Sequence, residues 1–187
     1  MHVGLMGAGM MGHGMAVNLL RHGHRVSVIA HRNRAPVEDL VARGASEVGT
    51  LEEIAAAEAI LLCVTTSKVV EETLSRLRPH LRAGQIILDA GTSAPEVTKR
   101  LAAELEAIGV AYADIPLTGG PEQAEQGVLG VLCGARPETF ARIEPLLCCF
   151  ATTIRHFGPP GSGHTAKLIS NYLVTGMVAL VAESFTA

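Results

Sequence analysis

Hydrophobic residues along this chain fall into short runs that alternate with stretches of helical periodicity. In the stretch after the first run, Met11, Met15 and Leu19 recur every four positions, as on one face of a helix. The alternation predicts an α/β fold with a doubly wound, mostly parallel sheet that carries helices on both faces. The runs predicted as strands are 3–6, 25–30, 59–64, 85–89, 111–115, 128–133 and 154–157.

Two of the predicted helices carry a start signal of the capping-box type. In this signal a Ser or Thr side chain binds a backbone N–H three residues on, and a Glu at that position binds back. Thr50 and Glu53 have this spacing, and so do Ser93 and Glu96. Both helices are therefore expected to begin at these residues.

The strongest break in the pattern is a Gly-Pro-rich segment at 158–163. From His164 onward the residues predict a single helix. Its apolar stretch 172–182 is too short to span a bilayer, so we interpret it as buried. The break divides the chain into a main domain, 1–160, and a terminal helical segment, 161–187.

The loop between the first predicted strand and the first helix contains Gly7, Gly9 and Gly12 in the spacing Gly-x-Gly-x-x-Gly. In a dinucleotide site, Gly7 would permit the tight turn, Gly9 the approach of a pyrophosphate, and Gly12 the close packing of helix and strand. The helix start adds free N–H groups for the phosphates. This order predicts a Rossmann-type NAD(P)-binding domain; the alternative is an ordinary glycine turn.

Composition and charge limit the kinds of molecule that the chain is expected to bind. The chain has 187 residues, of which 48% are hydrophobic, enough for one domain with a full core, or one domain plus a fragment. Its net charge of −3 argues against nucleic acid or an anionic membrane as the main partner. The four cysteines have no metal-binding spacing, so no metal site is expected. With no signal peptide visible at the N-terminus, a cytoplasmic location is the default expectation.

The end of the second predicted strand bears on the type of dinucleotide. An NAD site usually has a carboxylate about 20 residues past the glycines, on the ribose 2′-hydroxyl. Residues 30–34 contain no acid; they contain Arg32 and Arg34, and the first acidic residue of the chain is Glu38. A guanidinium suits a 2′-phosphate, so we favour NADP. The alternative is that the arginines form a solvated loop and the site binds NAD.

Four short motifs follow one another along the chain. They are the glycine loop at 7–12, Asp-Ala-Gly-Thr-Ser at 89–93, Asp-Ile-Pro-Leu-Thr-Gly-Gly at 114–120, and Gly-x-Gly-x-x-x-Lys-x-x-x-Asn at 161–171. In this order they resemble the β-hydroxyacid dehydrogenases, a group that includes 3-hydroxyisobutyrate dehydrogenase, tartronate semialdehyde reductase and the glyoxylate/succinic semialdehyde reductases. 6-Phosphogluconate dehydrogenase is a more distant relative.

The resemblance implies roles for individual residues. Lys167 matches the catalytic lysine and Asn171 the asparagine that positions the substrate. Thr118-Gly119-Gly120 matches the loop that holds the substrate carboxylate, with Thr118 where serine is usual, and Thr92 lies where the family has a residue between nicotinamide and substrate. The residues expected to contact the cofactor are Gly7, Gly9, Met10, Met11, Gly12, His31, Arg32, Asn33, Val64, Thr65 and Thr92.

The residues around Lys167 allow an acid/base role, and the motif spacing shared with the family is what favours it. The other two lysines, Lys68 and Lys99, lie in polar helical surroundings, whereas Lys167 follows a glycine loop and opens an apolar helix. Burial there would lower its pKa toward the range of a general acid/base; the alternative is a lysine that reaches out to solvent. Asn171 lies one turn on, on the same face, or else faces solvent. His164, three residues before Lys167, is a competing acid/base.

These observations predict an oxidoreductase with NADP as cofactor, NAD being possible. It would interconvert a small hydroxyacid and a carboxylate-bearing aldehyde or keto acid, with Lys167 as general acid/base. Family members continue into an all-α C-terminal domain that closes the site, and they form homodimers or tetramers. The resemblance implies that this domain is absent here, by engineering, proteolysis or as a natural short form. The alternative function is therefore a nucleotide-binding module without turnover. A third possibility, an imine reductase, is disfavoured because those enzymes generally lack a lysine at the position of Lys167.

Overall fold

The computed structural model describes residues 1–31 and 33–186. Over these residues the chain forms one mixed sheet with helices on both faces. The strands are β1 (His2–Met6), β2 (Arg25–Ile29), β3 (Ser46–Val48), β4 (Ala59–Leu62), β5 (Ile86–Asp89), β6 (Ala111–Asp114), β7 (Leu117–Thr118), β8 (Leu129–Gly134) and β9 (Ala151–Gly158). The helices are α1 (Met10–Arg21), α2 (Ala35–Ala42), α3 (Leu51–Ile54), α4 (Ser67–Leu77), α5 (Pro95–Glu106), α6 (Pro121–Gln126), α7 (Pro137–Leu147) and α8 (Ser162–Ser184).

The strand order is β3-β2-β1-β4-β5-β6-β8-β7, with β9 on β8. Strands β1 to β6 pair in parallel, as predicted, whereas β8 runs antiparallel to β6 and β7. From β1 the chain winds outward to β2 and β3, and then returns to the other side of β1 as β4. The strand order therefore reverses at the carboxyl ends of β1 and β4, the position at which doubly wound sheets bind their ligands.

The central strands are buried on both faces, which explains their uninterrupted apolar sequence. In β4, Ala59 and Leu61 belong to the hydrophobic cluster that includes Met15 of α1. The alternate residue Ile60 belongs to the cluster on the opposite face, together with Leu101 of α5. Each fully buried Leu, Ile or Met side chain stabilises the fold by roughly 1.5–3 kcal/mol relative to an exposed one. The two layers of helices are therefore held by two separate apolar clusters, one on each face.

The predicted capping boxes have different outcomes. The Thr50 side chain accepts the N–H of Glu53 at 3.2 Å, and the Glu53 carboxylate accepts the N–H of Thr50 at 3.0 Å, so this box is confirmed. The prediction at Ser93 is wrong. Its hydroxyl donates to Oδ2 of Asp89 at 3.0 Å, and α5 begins at Pro95 with no side-chain cap. The Asp89 carboxylate is buried, which the sequence does not reveal, and it binds the Ser93 hydroxyl.

The last helix begins two residues earlier than predicted, because Gly161 adopts a left-handed conformation with φ +94° and lets the turn start at Ser162. The interpretation of 172–182 as buried is wrong for this chain, since Met177 is 66% exposed and Leu180 74% exposed. By length and apolar composition alone, α8 would suffice to cross a membrane. Its N-terminal turns, however, pack against β8, β9 and α5.

Candidate cofactor and active site

The predicted cofactor residues follow the carboxyl ends of four neighbouring strands. Gly7 follows β1, His31 follows β2, Val64 and Thr65 follow β4, and Thr92 follows β5. Because these strands are parallel and adjacent, their carboxyl ends meet at one edge of the sheet. The fold therefore gathers at this edge all the predicted cofactor residues that it describes. Arg32 lies outside the described residues.

The fold requires two of the three glycines in the loop and leaves open space beside the third. Gly7 has φ +103°, and a Cβ there would lie 2.1 Å from the carbonyl oxygen of Cys63. A Cβ on Gly12 would lie 2.0 Å from the carbonyl oxygen of Gly7. Gly9, by contrast, has φ −74°, and nothing lies within 4 Å of the position of its Cβ. The fold thus requires Gly7 and Gly12, whereas Gly9 borders open space suited to a bound group.

The start of α1 is electrostatically suited to an anion. No side chain of the described residues caps this helix, and its first turn contains no acid. The first N–H groups of a helix have no partner within the helix, and its dipole places partial positive charge there. Gly9, which has no side chain, is exposed, and so is Met10, so this end of the helix is open to solvent. Together with the space beside Gly9, these amides fit the pyrophosphate of a dinucleotide.

The loop after β2 contributes one arginine that is already paired. Arg34 donates to both carboxylate oxygens of Glu47, at 2.9 and 3.1 Å, and its Nε lies 3.6 Å from Glu38. Asn33 uses its side-chain oxygen to accept the N–H of Ala35 at 3.2 Å, which shapes the entry to α2. The charge of Arg34 is therefore compensated within the chain, and the sequence leaves Arg32 as the main candidate for a 2′-phosphate.

The loop after β5 is shaped by a buried carboxylate. Oδ1 of Asp89 accepts the N–H of Gly91 at 2.9 Å, and Oδ2 accepts the hydroxyls of Ser93 and Tyr112 at 3.0 and 2.9 Å. Burial and the nearby charge of Asp89 raise the pKa of Tyr112 well above its ordinary value, so this phenol remains a donor. The loop held in this way presents Thr92 to solvent at the carboxyl edge of the sheet.

The Thr118-Gly119-Gly120 loop agrees only in part with its sequence interpretation. Thr118 pairs with Gly130 of β8, where a Cβ would lie 2.1 Å from the Thr118 hydroxyl, so Gly130 makes room for that hydroxyl. Gly119 has φ +106°. The N–H of Gly120 is not free to bind a substrate carboxylate, because it donates to Oε1 of Gln123 at 2.9 Å. Thr118 borders an open cleft of about 770 Å³ that Ser170 of α8 also lines.

Lys167 lies in the second turn of α8 and is partly buried, which lowers the pKa of its amine below the ordinary lysine value of 10.5. Asn171, one turn on, is exposed in this chain. His164 is fully buried, with its Nδ1 2.8 Å from the Thr98 hydroxyl. A buried imidazole cannot reach a substrate, so the structure removes His164 as a competing candidate and leaves Lys167 as the predicted acid/base. Within residues 1–31 and 33–186, no group of three or more His, Cys, Asp or Glu could hold a metal ion.

Comparison with known proteins agrees with this geometry. Residues 2–158 match the family model of the NAD binding domain of 6-phosphogluconate dehydrogenase. The chain is 32% identical to 2-(hydroxymethyl)glutarate dehydrogenase of Eubacterium barkeri over 97% of this chain and 62% of that protein.

Two solved structures share the fold. The Mycobacterium tuberculosis 3-hydroxyisobutyrate dehydrogenase crystallised with L-serine has a TM-score of 0.93 at 25% identity, over 99% of this chain and 64% of that one. Psf3 in complex with NADP+ and 2-OPP has a TM-score of 0.86 at 29% identity, over 98% and 68%. The chain thus spans less than two thirds of the length of the two dehydrogenases. On the match over 2–158, the chain belongs to the family of the NAD-binding domain of 6-phosphogluconate dehydrogenase, and its relatives include hydroxyacid dehydrogenases.

Proposed function

We propose that this chain is the cofactor-binding and catalytic-lysine part of an NADP(H)-dependent oxidoreductase that interconverts a small β-hydroxyacid and its semialdehyde or keto acid. The observation that carries the proposal is an amine of lowered pKa, Lys167, on the helix that follows a dinucleotide-binding domain. The names of the relatives support the substrate class, since 2-(hydroxymethyl)glutarate, 3-hydroxyisobutyrate and L-serine all carry a β-hydroxyl and a carboxylate.

In this proposal, one set of residues binds the cofactor and the substrate, and Lys167 transfers the proton. The amides of the Gly9–Gly12 turn bind the pyrophosphate, and the nicotinamide, when bound, supplies or accepts the hydride. Lys167 gives a proton to the substrate oxygen during reduction and takes it from the alcohol during oxidation. The Thr118 hydroxyl and the backbone of Gly119 hold the substrate carboxylate, and Asn171 orients the reacting oxygen.

The division of the chain follows the same logic. Residues 1–160 bind the cofactor, and 161–187 supply the catalytic loop and the beginning of an interdomain helix. A second candidate, a module that binds nucleotide without turnover, is favoured by the exposure of Asn171 and of the apolar side chains that follow it in α8, such as Met177 at 66%. A steady-state assay with NADPH and a panel of small semialdehydes separates the two. Turnover supports the oxidoreductase, whereas saturable NADPH binding without turnover supports the module.

Cofactor preference gives a prediction centred on Arg32. We expect NADPH to raise the unfolding midpoint more than NADH at equal concentration, because a guanidinium pairs with the 2′-phosphate. Replacing Arg32 by Ala removes this advantage; a tenfold preference corresponds to about 1.4 kcal/mol. The matched control is Arg34→Ala, since Arg34 is already paired with Glu47 and Glu38. Equal stabilisation of the unaltered chain by NADPH and NADH would instead favour an NAD site.

The lowered pKa of Lys167 gives a prediction for pH dependence. Oxidation of the hydroxyacid needs the neutral amine, so the rate rises with pH as Lys167 loses its proton. Because burial lowers this pKa, the rise is centred below 10.5. The pH profile of kcat measures this inflection, and Lys68→Arg, at an exposed position of α4, serves as the control that leaves it in place. An inflection at the ordinary lysine value would contradict the role given to burial.

A further inference from the structure

One buried carboxylate holds the first turn of α8. Asp114, the last residue of β6, is fully buried. Its Oδ1 accepts the N–H of Gly161 at 2.7 Å, and its Oδ2 accepts the N–H of His164 at 2.7 Å. These amides belong to the helix start, where backbone donors lack a partner within the helix and the dipole favours negative charge. The Asp114 side chain thus binds two backbone N–H groups at the start of α8, those of Gly161 and His164.

The contact between the helix start and the sheet leaves little room for adjustment. A Cβ on Gly163 would lie 2.3 Å from the carbonyl oxygen of Leu132 and 2.9 Å from Oδ2 of Asp114. A Cβ on Gly134 would lie 2.4 Å from Oδ1 of Asp114. Two glycines therefore allow the backbone of α8 to rest directly on β8 and on the carboxylate. The position of the helix is set by backbone contacts as well as by side-chain packing.

The His164 side chain connects the contact between Asp114 and α8 to the loop that contains Thr92. Its Nδ1 lies 2.8 Å from the Thr98 hydroxyl on α5 and 3.8 Å from Oδ2 of Asp114. Its Nε2 lies 3.8 Å from Oδ2 of Asp89, the carboxylate that shapes the Thr92 loop. All four side chains are fully buried, so this polar cluster is closed to substrate. It connects β5, β6, α5 and α8 beneath the candidate active site.

We propose that Asp114 is a positioning residue for Lys167, because it fixes the first turn of the helix that carries the lysine. Lys167 follows His164 by three residues, so the direction of its side chain depends on where that turn is held. The inference rests on the proposed function for its catalytic meaning. Burial is the cause of the lowered pKa of Lys167, and this pKa therefore reports how closely the second turn of α8 lies to the domain.

The chain contains three lysines, which makes a direct readout practical. Lysine labelled isotopically at the ε carbon gives one NMR resonance for each, assigned by single Lys→Arg substitutions. In Asp114→Asn the amide oxygen can accept only one of the two N–H groups. We expect the turn to loosen and the pKa of Lys167 to rise toward 10.5. Thr98→Val, which removes only the hydroxyl beside His164, should move Lys167 in the same direction by less.

The matched control is Gln85→Met. Gln85 is buried and donates to the carbonyl oxygens of Ala55 and Ala57, both at 2.6 Å. It precedes β5, at the amino ends of the strands, whereas Asp114 lies at the carboxyl end of β6. We expect this variant to lower the unfolding midpoint without changing the titration of Lys167. In an active form of the protein, Asp114→Asn should lower kcat roughly 10- to 100-fold and leave the Kd of NADPH unchanged, as expected for a displaced catalytic group.

The proposal is overturned if Lys167 titrates as in the unaltered chain in folded Asp114→Asn, or if Gln85→Met shifts its pKa as much. If Asp114→Asn does not fold, Thr98→Val decides by the same criterion. The titration needs neither cofactor nor substrate, so it is independent of the proposed function. A chain without turnover whose Lys167 responds to Asp114 would reject the proposed function for this chain and keep the positioning role.

Discussion

Replacing Lys167 by Met is expected to lower turnover by roughly 10²- to 10⁴-fold, the usual contribution of a positioned proton donor. Methionine keeps an unbranched apolar side chain of similar length and removes only the amine. Because the cofactor residues lie on the loops after β1, β2, β4 and β5, the affinity for NADPH should stay within about twofold, since those contacts do not involve α8. Steady-state kinetics and a fluorescence titration with NADPH measure the two quantities separately.

Lys68→Met is the control for this experiment. Lys68 is an exposed lysine of α4 whose amine lies 4.0 Å from Glu72, and the proposal gives it no part in proton transfer. Its replacement should change turnover little. If Lys167→Met and Lys68→Met lowered turnover equally, or if Lys167→Met lost NADPH binding and turnover together, the acid/base assignment would be wrong.

Replacing Gly9 by Ala is expected to weaken NADPH binding and leave the fold intact. Gly9 has an extended backbone that alanine adopts easily, and nothing lies within 4 Å of its Cβ position, so the unfolding midpoint should not fall. A methyl group there would meet the bound pyrophosphate, at a cost of about 1–3 kcal/mol by analogy with overpacked sites. That corresponds to roughly 5- to 150-fold weaker binding.

Gly12→Ala provides the contrast. Its methyl group would lie 2.0 Å from the carbonyl oxygen of Gly7, so this variant should lose stability with or without cofactor. Thermal unfolding without ligand, together with an NADPH titration, distinguishes the two variants. Should Gly9→Ala bind NADPH normally, or should it destabilise the fold as much as Gly12→Ala, the loop would be a structural turn and not a phosphate site.

The parts of the fold that follow from local pattern could be read from the sequence. The first βα unit is an example, since Gly7 and Gly12 sit where backbone atoms nearly touch, and Met15 repeats on the buried face of α1. β3 and β7 could not be predicted. They have three and two residues, and β3 is an edge strand with mostly exposed side chains, so neither presents an apolar run.

The differences at the site come from polar contacts that motif spacing does not reveal, two of them local and one long-range. Ser93 has the spacing of a cap but donates to Asp89, and the N–H of Gly120 is taken by Gln123. His164 was considered as a rival acid/base, yet it is buried between two carboxylates that lie 75 and 50 residues earlier in the chain. Such partners meet only through the parallel order of β5 and β6 beneath α8. Motif spacing predicts Lys167 as the acid/base, and the fold shows that Asp114 accepts two N–H groups at the start of the helix that carries it.

A crystal structure of the chain grown with NADP+ and a small β-hydroxyacid tests the central claim most directly. We expect the pyrophosphate to contact the backbone amides between Gly9 and Gly12, and the Lys167 amine to face the nicotinamide from α8. A dinucleotide bound elsewhere, or a Lys167 amine directed into solvent away from the nicotinamide, would contradict the account.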